Sequence, residues 1–411
     1  MVASGQEVEP GHDALSQLVT MLHLLGGTAS RAELTERLGC GRSVMGYLLG
    51  DLASRGVVAI EPTAAQGRAG RPSHQVSTAA TAPVVIAVHL EIGSATVAVI
   101  SLGGRITERT ELRFRSPADL ADLLARLAET MTALAGRQHR VLGAGMAVPS
   151  PVRRDDGLAF AMLHMGWPSV PLRDLLAGQL GGIPLVLGND ANLAALAEHR
   201  HGAGRGARQL LYLTTGQVGL GGALISNGRL FDGAHGYAME PGHITVDPAG
   251  TPCACGSTGC LEVECDDRGL LRAAGPTHSY AAAAALLRAA ASAPSVAHGA
   301  DRVAEADAAA ALRAVQQVTA RLGSGLASLI NLTDPDRIVL AGSLASYARL
   351  APETLAASLA ARSFLSNTAL SQTDPVPIVP GELPEAPLLG AADLAFQPFL
   401  DDPRTALDAQ T

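Results

Sequence analysis

The 411-residue chain contains no lysine; all 30 of its basic residues are arginine. That absence removes two kinds of chemistry. No lysine Schiff base can form, and no lysine ammonium is available to hold a phosphate. Cysteine is scarce too, five in all, and three of the five fall between positions 253 and 260. Such clustering argues against a disulfide framework and for a reducing compartment and a metal. No apolar run reaches the length of a membrane span. The N-terminus MVASGQEVEPGHD is polar and acidic, without a signal-peptide core, so a cytoplasmic location and no membrane partner are expected. What remains is 47% hydrophobic and 17% charged, the composition of a globular protein of two or three domains. A net charge of −8 argues against a chain that is basic throughout, but leaves room for one small basic domain.

The stretch Glu240 to Glu262, EPGHITVDPAGTPCACGSTGCLE, carries the most concentrated chemistry. Cys253, Cys255 and Cys260, with His243 ten residues before the first, form a Cys₃His set. Three thiolates and an imidazole suit a closed tetrahedral Zn²⁺ site, so a structural zinc on His243, Cys253, Cys255 and Cys260 is expected. Gly256 and Gly259 allow the tight folding this requires. Glu240 and Glu262 flank the set and are not needed as ligands.

Near the N-terminus, Ala14 to Leu25 has apolar residues at helical spacing and ends at Gly26-Gly27. Ser30 and Glu33 predict a capping box for a second helix, and a third runs from about Gly41 to Ser54. Short strands at Val57–Ile60 and near Gln75-Val76 follow. Three helices and a hairpin over residues 13–78 predict a winged helix-turn-helix with Leu34, Leu38, Val44, Leu48 and Leu52 in its core. Arg42, Ser43, Met45 and Tyr47 are then the residues offered to a DNA major groove. From Arg37 to Gln75 the segment is locally +3, with five arginines against Asp51 and Glu61. Arg68 and Arg71 lie on the small-residue loop GRAGRP, which suits a narrow minor groove.

From Pro83 the pattern changes to strands VVIAVHL, TVAVISL and RITERTEL, a helix, the strand VLGAGMAV, then IPLVL. The last of these runs into Gly188-Asn189-Asp190-Ala191-Asn192 and a helix. Ligands gather at the carboxyl ends of strands in α/β folds, which makes Asp190 a candidate hydroxyl-binding carboxylate and, equally, a candidate helix cap.

The pattern Glu-x-Gly-His, nine residues, then Cys-x-Cys-Gly-x-x-Gly-Cys-x-Glu, resembles the signature of the ROK family of repressors, open reading frames and sugar kinases. The resemblance implies an α/β fold: the N-terminal winged helix-turn-helix followed by a two-lobed actin-like ATPase body, with lobes at 83–205 and 206–397, the second bearing the zinc loop. It implies that Asn189, Asp190, Glu240, His243 and Glu262 bind sugar hydroxyls, and that Asp190 stands where family kinases keep their catalytic base. It also exposes departures. Family kinases carry Asp-x-Gly-Gly-Thr-Lys on the first hairpin; this chain reads Glu91-Ile92-Gly93-Ser94-Ala95-Thr96. A second phosphate loop, Gly-Thr-Gly in kinases, reads Gln217-Val218-Gly219. Each hydrogen bond to a charged group contributes roughly 1.5–3 kcal/mol, so these losses weaken phosphate binding by several kcal/mol. The sugar side keeps its polar residues. The expectation is a sugar-responsive DNA-binding regulator, a repressor that binds without phosphorylating, with Asp190 a vestigial base and no enzymatic activity. A homodimer or homotetramer on an inverted-repeat operator follows. The alternative is an ATP-dependent sugar kinase with a DNA-binding head.

Overall fold

The computed structural model describes residues 14–62, 74–115, 119–162, 165–216, 219–275, 283–292, 302–364 and 375–409. Arg68, Arg71, Gln217 and Val218 lie outside these. The chain divides into two compact units, Met1–Arg200 with Glu385–Thr411, and His201–Pro384. Among the described residues no helix is long and apolar enough to cross a membrane.

The first unit begins with α1 (Ala14–Leu24), β1 (Thr28–Ser30), α2 (Arg31–Leu38), α3 (Arg42–Ser54), β2 (Val58–Pro62) and β3 (His74–Thr78). The three strands pair antiparallel in the order β1-β3-β2, completing a winged helix-turn-helix. Ser30 caps α2 by accepting the Glu33 N–H at 3.1 Å. The reciprocal half of the box is replaced, because the Glu33 carboxylate accepts from Arg37 one turn later, at 3.1 Å. In α3 the buried stripe is Met45, Leu48, Leu49 and Leu52, at spacing i, i+3, i+4, i+7. This corrects the expected register by one residue. Met45 is fully buried, so it cannot reach a base edge, while Val44, expected in the core, is 47% exposed. Arg42, Ser43 and Tyr47 do face outward. Gly46, which weakens a helix on propensity alone, lies under Arg31: a Cβ there would come within 2.8 Å of the Arg31 guanidinium. That guanidinium donates to the Arg42 carbonyl at 3.0 Å and so ties α2 to the start of α3.

The body of the first unit is a five-stranded sheet of β4 (Val84–Glu91), β5 (Ser94–Ser101), β6 (Ile106–Arg113), β7 (Val141–Val148) and β8 (Leu185–Asn189), in the order β6-β5-β4-β7-β8. β4, β7 and β8 run parallel, so their carboxyl ends share one edge. α4 (Leu120–Ala135) and α5 (Leu172–Ala177) cover one face. α6 (Asp190–His201) leaves β8 directly.

The second unit holds β9 (Gln209–Thr215), β10 (Leu220–Ser226), β11 (Arg229–Leu230), β12 (Arg337–Leu340) and β13 (Ile378–Pro380), in the order β11-β10-β9-β12-β13. Around this sheet lie α7 (Leu261–Cys265), α8 (Asp267–Ala274), α9 (Ala283–Ser292), the 32-residue α10 (Arg302–Thr333), α11 (Ser343–Leu350) and α12 (Pro352–Arg362).

The chain then returns to the first unit as α13 (Ala386–Asp401) and α14 (Pro403–Asp408). The sequence reading extends the second lobe to residue 397. Instead α13 runs through Pro398 to Asp401 because its apolar face is needed. Leu388, Phe396 and Phe399 form one core with Leu15, Leu18 and Leu22 of α1 and with Val85, Ile100 and Leu102 of the sheet. The winged helix is therefore not a separately cored domain over 13–78. It is seated on the sheet and on α13. The Ser16 hydroxyl donates to the Leu400 carbonyl at 2.5 Å, and Asp51 binds both Arg55 and Arg404. At the tightest point backbone meets backbone: a Cβ on Gly103, whose φ is +93°, would lie 2.4 Å from the Gly27 nitrogen.

Gly103→Ala should therefore cost about 2–3 kcal/mol through overpacking and lower the melting temperature by roughly 5 °C. Gly50→Ala, on an exposed helical position with nothing within 4 Å of the new methyl, should instead stabilise by about 0.5–1 kcal/mol. Paired thermal denaturation checks both signs.

Candidate functional site

In the first unit the chemistry sits at the carboxyl edge of the sheet. Asn189 ends β8 and caps α6: its Oδ1 accepts the Asn192 N–H at 3.0 Å, and its amide donates to the Ser150 carbonyl at 3.2 Å. Asn189, not Asp190, is thus the helix cap. The Asp190 carboxylate accepts the Ala191 N–H through Oδ1 at 2.7 Å. The Asp190 backbone N–H is a second donor to the same carboxylate. Burial pushes the Asp190 carboxyl up to about 6, with the Ala191 N–H opposing and the charge of Glu91 adding to the rise. Glu91 ends β4 at the same edge, and burial raises its carboxyl as well. A carboxylate with such a raised pKa is suited to accept a hydrogen bond, or a proton, from a hydroxyl.

In the second unit the stretch 240–262 folds into a tight knot. Pro241–His243 makes a 3-10 turn pressed against β10, where a Cβ on Gly242 would lie 2.2 Å from the Leu220 carbonyl oxygen. Pro241 fills the space left by Gly222 of β10. The loop closes on itself through Val246 N–H to Gly259 O and Leu261 N–H to Ile244 O, each 2.8 Å. It thereby brings His243, Cys253, Cys255 and Cys260 together, with all four ligand atoms within 4.8 Å of one another. Cys255 Sγ and Cys260 Sγ are 3.7 Å apart, and Cys253 Sγ is 3.8 Å from His243 Nδ1. A tetrahedral ion bound to thiolates at about 2.3 Å spaces its sulfurs by about 3.8 Å. A disulfide would need about 2.05 Å, so the geometry fits a metal. The thiol chemistry agrees. Burial pushes Cys253 up to about 12, while the Ser257 N–H lowers Cys255. A buried thiol of that kind ionises when a cation replaces its proton.

Outside the ligands, Glu264 accepts the Thr251 N–H at 2.7 Å and pairs with Arg321 of α10. Arg321 also reaches Asp247 at 3.7 Å. Burial pushes the Glu264 carboxyl up, but the Thr251 N–H and Arg321 outweigh it and hold it low. Glu240 is partly buried just before the 3-10 turn. Glu262 is buried on α7 and accepts from Arg268 at 3.0 Å.

That arginine belongs to a group which sequence reading passed over. Asp266 is fully buried, caps α8 through the Arg268 and Gly269 N–H groups, and pairs with the Arg268 guanidinium. Its Oδ2 also accepts the Gly219 N–H at 3.3 Å. Asp267 accepts from the Ser343 hydroxyl at 2.6 Å, and the Ser343 N–H donates to Thr215 Oγ1 at 2.9 Å. Burial pushes the Asp267 carboxyl up, Ser343 pulls it partly back, and Asp266 adds to the rise. Two carboxylates therefore stand between the turn at Gly219 and the turn at Gly342-Ser343. The Asp-Asp-Arg run after Cys-x-Glu was visible in sequence, but its partners lie 47 and 76 residues away.

Taken together, the two α/β units and the winged helix define a DNA-binding-type head on an actin-like ATPase body. The ROK family profile matches residues 86–397, and the chain belongs to that family. It is 33% identical over 267 residues to a glucokinase of Halalkalibacterium halodurans, covering 62% of this chain and 79% of that protein. It is 23% identical over 378 residues to the xylose repressor of Bacillus spizizenii, covering 90% and 92%. Its fold matches the crystal structure of a ROK family transcriptional regulator, a homolog of the E. coli MLC protein, with a TM-score of 0.71, 22% identity and coverage of 96% and 100%.

The Asp190 environment has a measurable sign. Its carboxyl is raised in the fold, so the unfolded chain ionises first as pH rises from 3.8 towards 6, and stability falls across that window. Asp190→Asn keeps an acceptor for the Ala191 N–H and removes the charge. The variant should be more stable than wild type by roughly 1–3 kcal/mol at pH 7.5, the gain vanishing near pH 4. Urea denaturation at the two pH values reads this directly.

Proposed function

We propose that this protein is a sugar-responsive DNA-binding transcriptional regulator, a repressor, that binds a sugar without phosphorylating it. The observation that carries this reading is the filled nucleotide edge of the second unit. By resemblance, family kinases hold ATP phosphates at the segment matching Gln217-Val218-Gly219 and the adenosine side at the turn matching Gly342. In this chain the Gly219 N–H is already donated to buried Asp266, and Asp267 holds Ser343. A triphosphate brought there meets two carboxylates in a poorly hydrated place, where like charges repel strongly. Lysine is absent and the first hairpin reads Gly93-Ser94-Ala95-Thr96, so compensating donors are few.

The groups offered to a sugar are Asn189 and Asp190 in the first unit, and Glu240, His243 and Glu262 in the second. Zn²⁺ on His243, Cys253, Cys255 and Cys260 fixes the loop that presents them. The head meets DNA through Arg42, Ser43 and Tyr47 of α3, with Arg68 and Arg71 on the wing loop. A homodimer matches an inverted-repeat operator. One observation favours a second reading, a sugar kinase with a DNA-binding head: a carboxyl at about 6, as in Asp190, is poised as a general base.

Thermal-shift measurements on D-glucose, D-xylose, amino sugars and sugar phosphates, each with and without Mg-ATP, separate the two. The regulator is expected to be stabilised by a sugar and indifferent to ATP. Stabilisation by ATP that a sugar enhances would favour the kinase. Metal analysis should return about one zinc per chain, lost in Cys255→Ser, whose melting temperature should also fall and no longer respond to a chelator. Arg68→Ala with Arg71→Ala should weaken binding to a genomic duplex and reduce the slope of log K against log salt by about 1–2. An unchanged slope would remove the wing loop from the DNA interface.

A further inference from the structure

Helix α6 starts at Asp190 and ends beside the winged helix, and its two ends are fastened differently. At the start, its backbone touches α13: a Cβ on Gly390 would lie 1.9 Å from the Leu193 carbonyl oxygen. At the far end, Arg200 donates to Gln397 of α13 at 2.9 Å, and its Nη1 stands 3.4 Å from Asp393 as an ion pair without a hydrogen bond. Asp393 is 1% exposed, and its other oxygen binds His23 Nε2 of α1 at 2.9 Å. His23 is fully buried, and its Nδ1 accepts the Gly103 N–H at 3.0 Å. That bond fixes the tautomer: Nδ1 is the acceptor, so Nε2 carries the hydrogen and donates to Asp393.

We infer that α6 is a relay joining the effector-binding carboxylate to the DNA-binding head, through Arg200, Asp393 and His23. The inference rests on the proposed role of Asp190. Its physical basis is continuity without slack. A 12-residue helix is a rod of about 18 Å whose ladder of hydrogen bonds resists shortening. Most of its side chains are buried, so it shifts only as a body. Any rotation or slide that follows a change at Asp190 is delivered to Arg200. Withdrawal of Arg200 takes a cation away from a buried carboxylate, around which His23 and His201 also stand, so Asp393 does not part from α6 without penalty. The Gly103 bond holds His23 to the β5–β6 turn, so displacement of Asp393 is passed to α1 and the head. Asp393 and His23 act here as positioning residues, distant from any ligand.

Hydrogen–deuterium exchange on the full chain reads both ends of the relay. In wild type, Asp190→Asn should change exchange of the α1 amides and of the Gly103 amide by about fivefold, together with α6. In an Asp393→Asn background the same change should alter α6 and leave α1 unmoved. Arg200→Gln, at the 20% exposed end of the pair, serves as the second background should Asp393→Asn fail to fold. Head amides that ignore Asp190→Asn in wild type, or that respond equally in both backgrounds, overturn the relay. A second arm replaces the substitution with saturating D-xylose or D-glucose, whichever raises the melting temperature, and expects the same contrast. If neither sugar binds, the sugar reading loses support, and the Asp190→Asn arm still decides the relay.

Discussion

The first unit is held together by the burial of α13 between the sheet and the winged helix. One helix supplies Leu388 and Phe396 to a core that also takes Leu18 and Leu22 from the head and Ile100 and Leu102 from β5 and the turn after it. Burying a large apolar side chain contributes about 1.5–3 kcal/mol, so this shared core outweighs the surface pairs around it. Arg55–Asp408 and Arg404–Asp51 leave one partner substantially exposed and contribute only tenths of a kcal/mol to about 1. They orient the seat; the apolar contact makes it. The orientation of the head on its sheet is therefore a property of the core, and it changes when α13 moves.

The second unit combines a closely packed loop with a carboxylate cluster built on different elements. The turn at Pro241–His243, the metal knot and α7 keep their close backbone contacts. Asp266 is bound by three backbone N–H groups and Arg268. Arg268 also holds Glu262, a residue proposed to contact sugar. One buried carboxylate thus fastens the Gly219 backbone and, through one guanidinium, is linked to Glu262.

Local signals made much of this legible in sequence. Ser30 was read as a cap, and Asn189-Asp190 was placed at a strand end, because cap chemistry and strand termini are written within a few residues. The clustering of His243, Cys253, Cys255 and Cys260 was legible for the same reason, since the four span 18 residues. The failures are non-local or degenerate. Val44 and Met45 are both apolar and adjacent, and only packing against Leu34 and Leu49 decides which one turns inward. β1 is three residues long, too short to carry a period. Pro398 reads as a stop signal, yet α13 crosses it because Phe396 and Phe399 on either side are both wanted in the core. Nothing in the order of residues announces that the chain returns to its first unit after 184 residues in the second.

That return gives the α6–α13 contact its meaning. A carboxylate–arginine pair on a surface slides with little penalty, and it could not transmit a displacement. Asp393 differs because it is buried and faces groups of different elements, His23 of α1 and Arg200 and His201 of α6. Losing one partner of a buried charge costs about 3–5 kcal/mol, whereas coupling between effector and DNA typically needs 1–3 kcal/mol. The link is thus stiffer than the signal it would carry. Under that condition helix and head move together instead of separating at their junction.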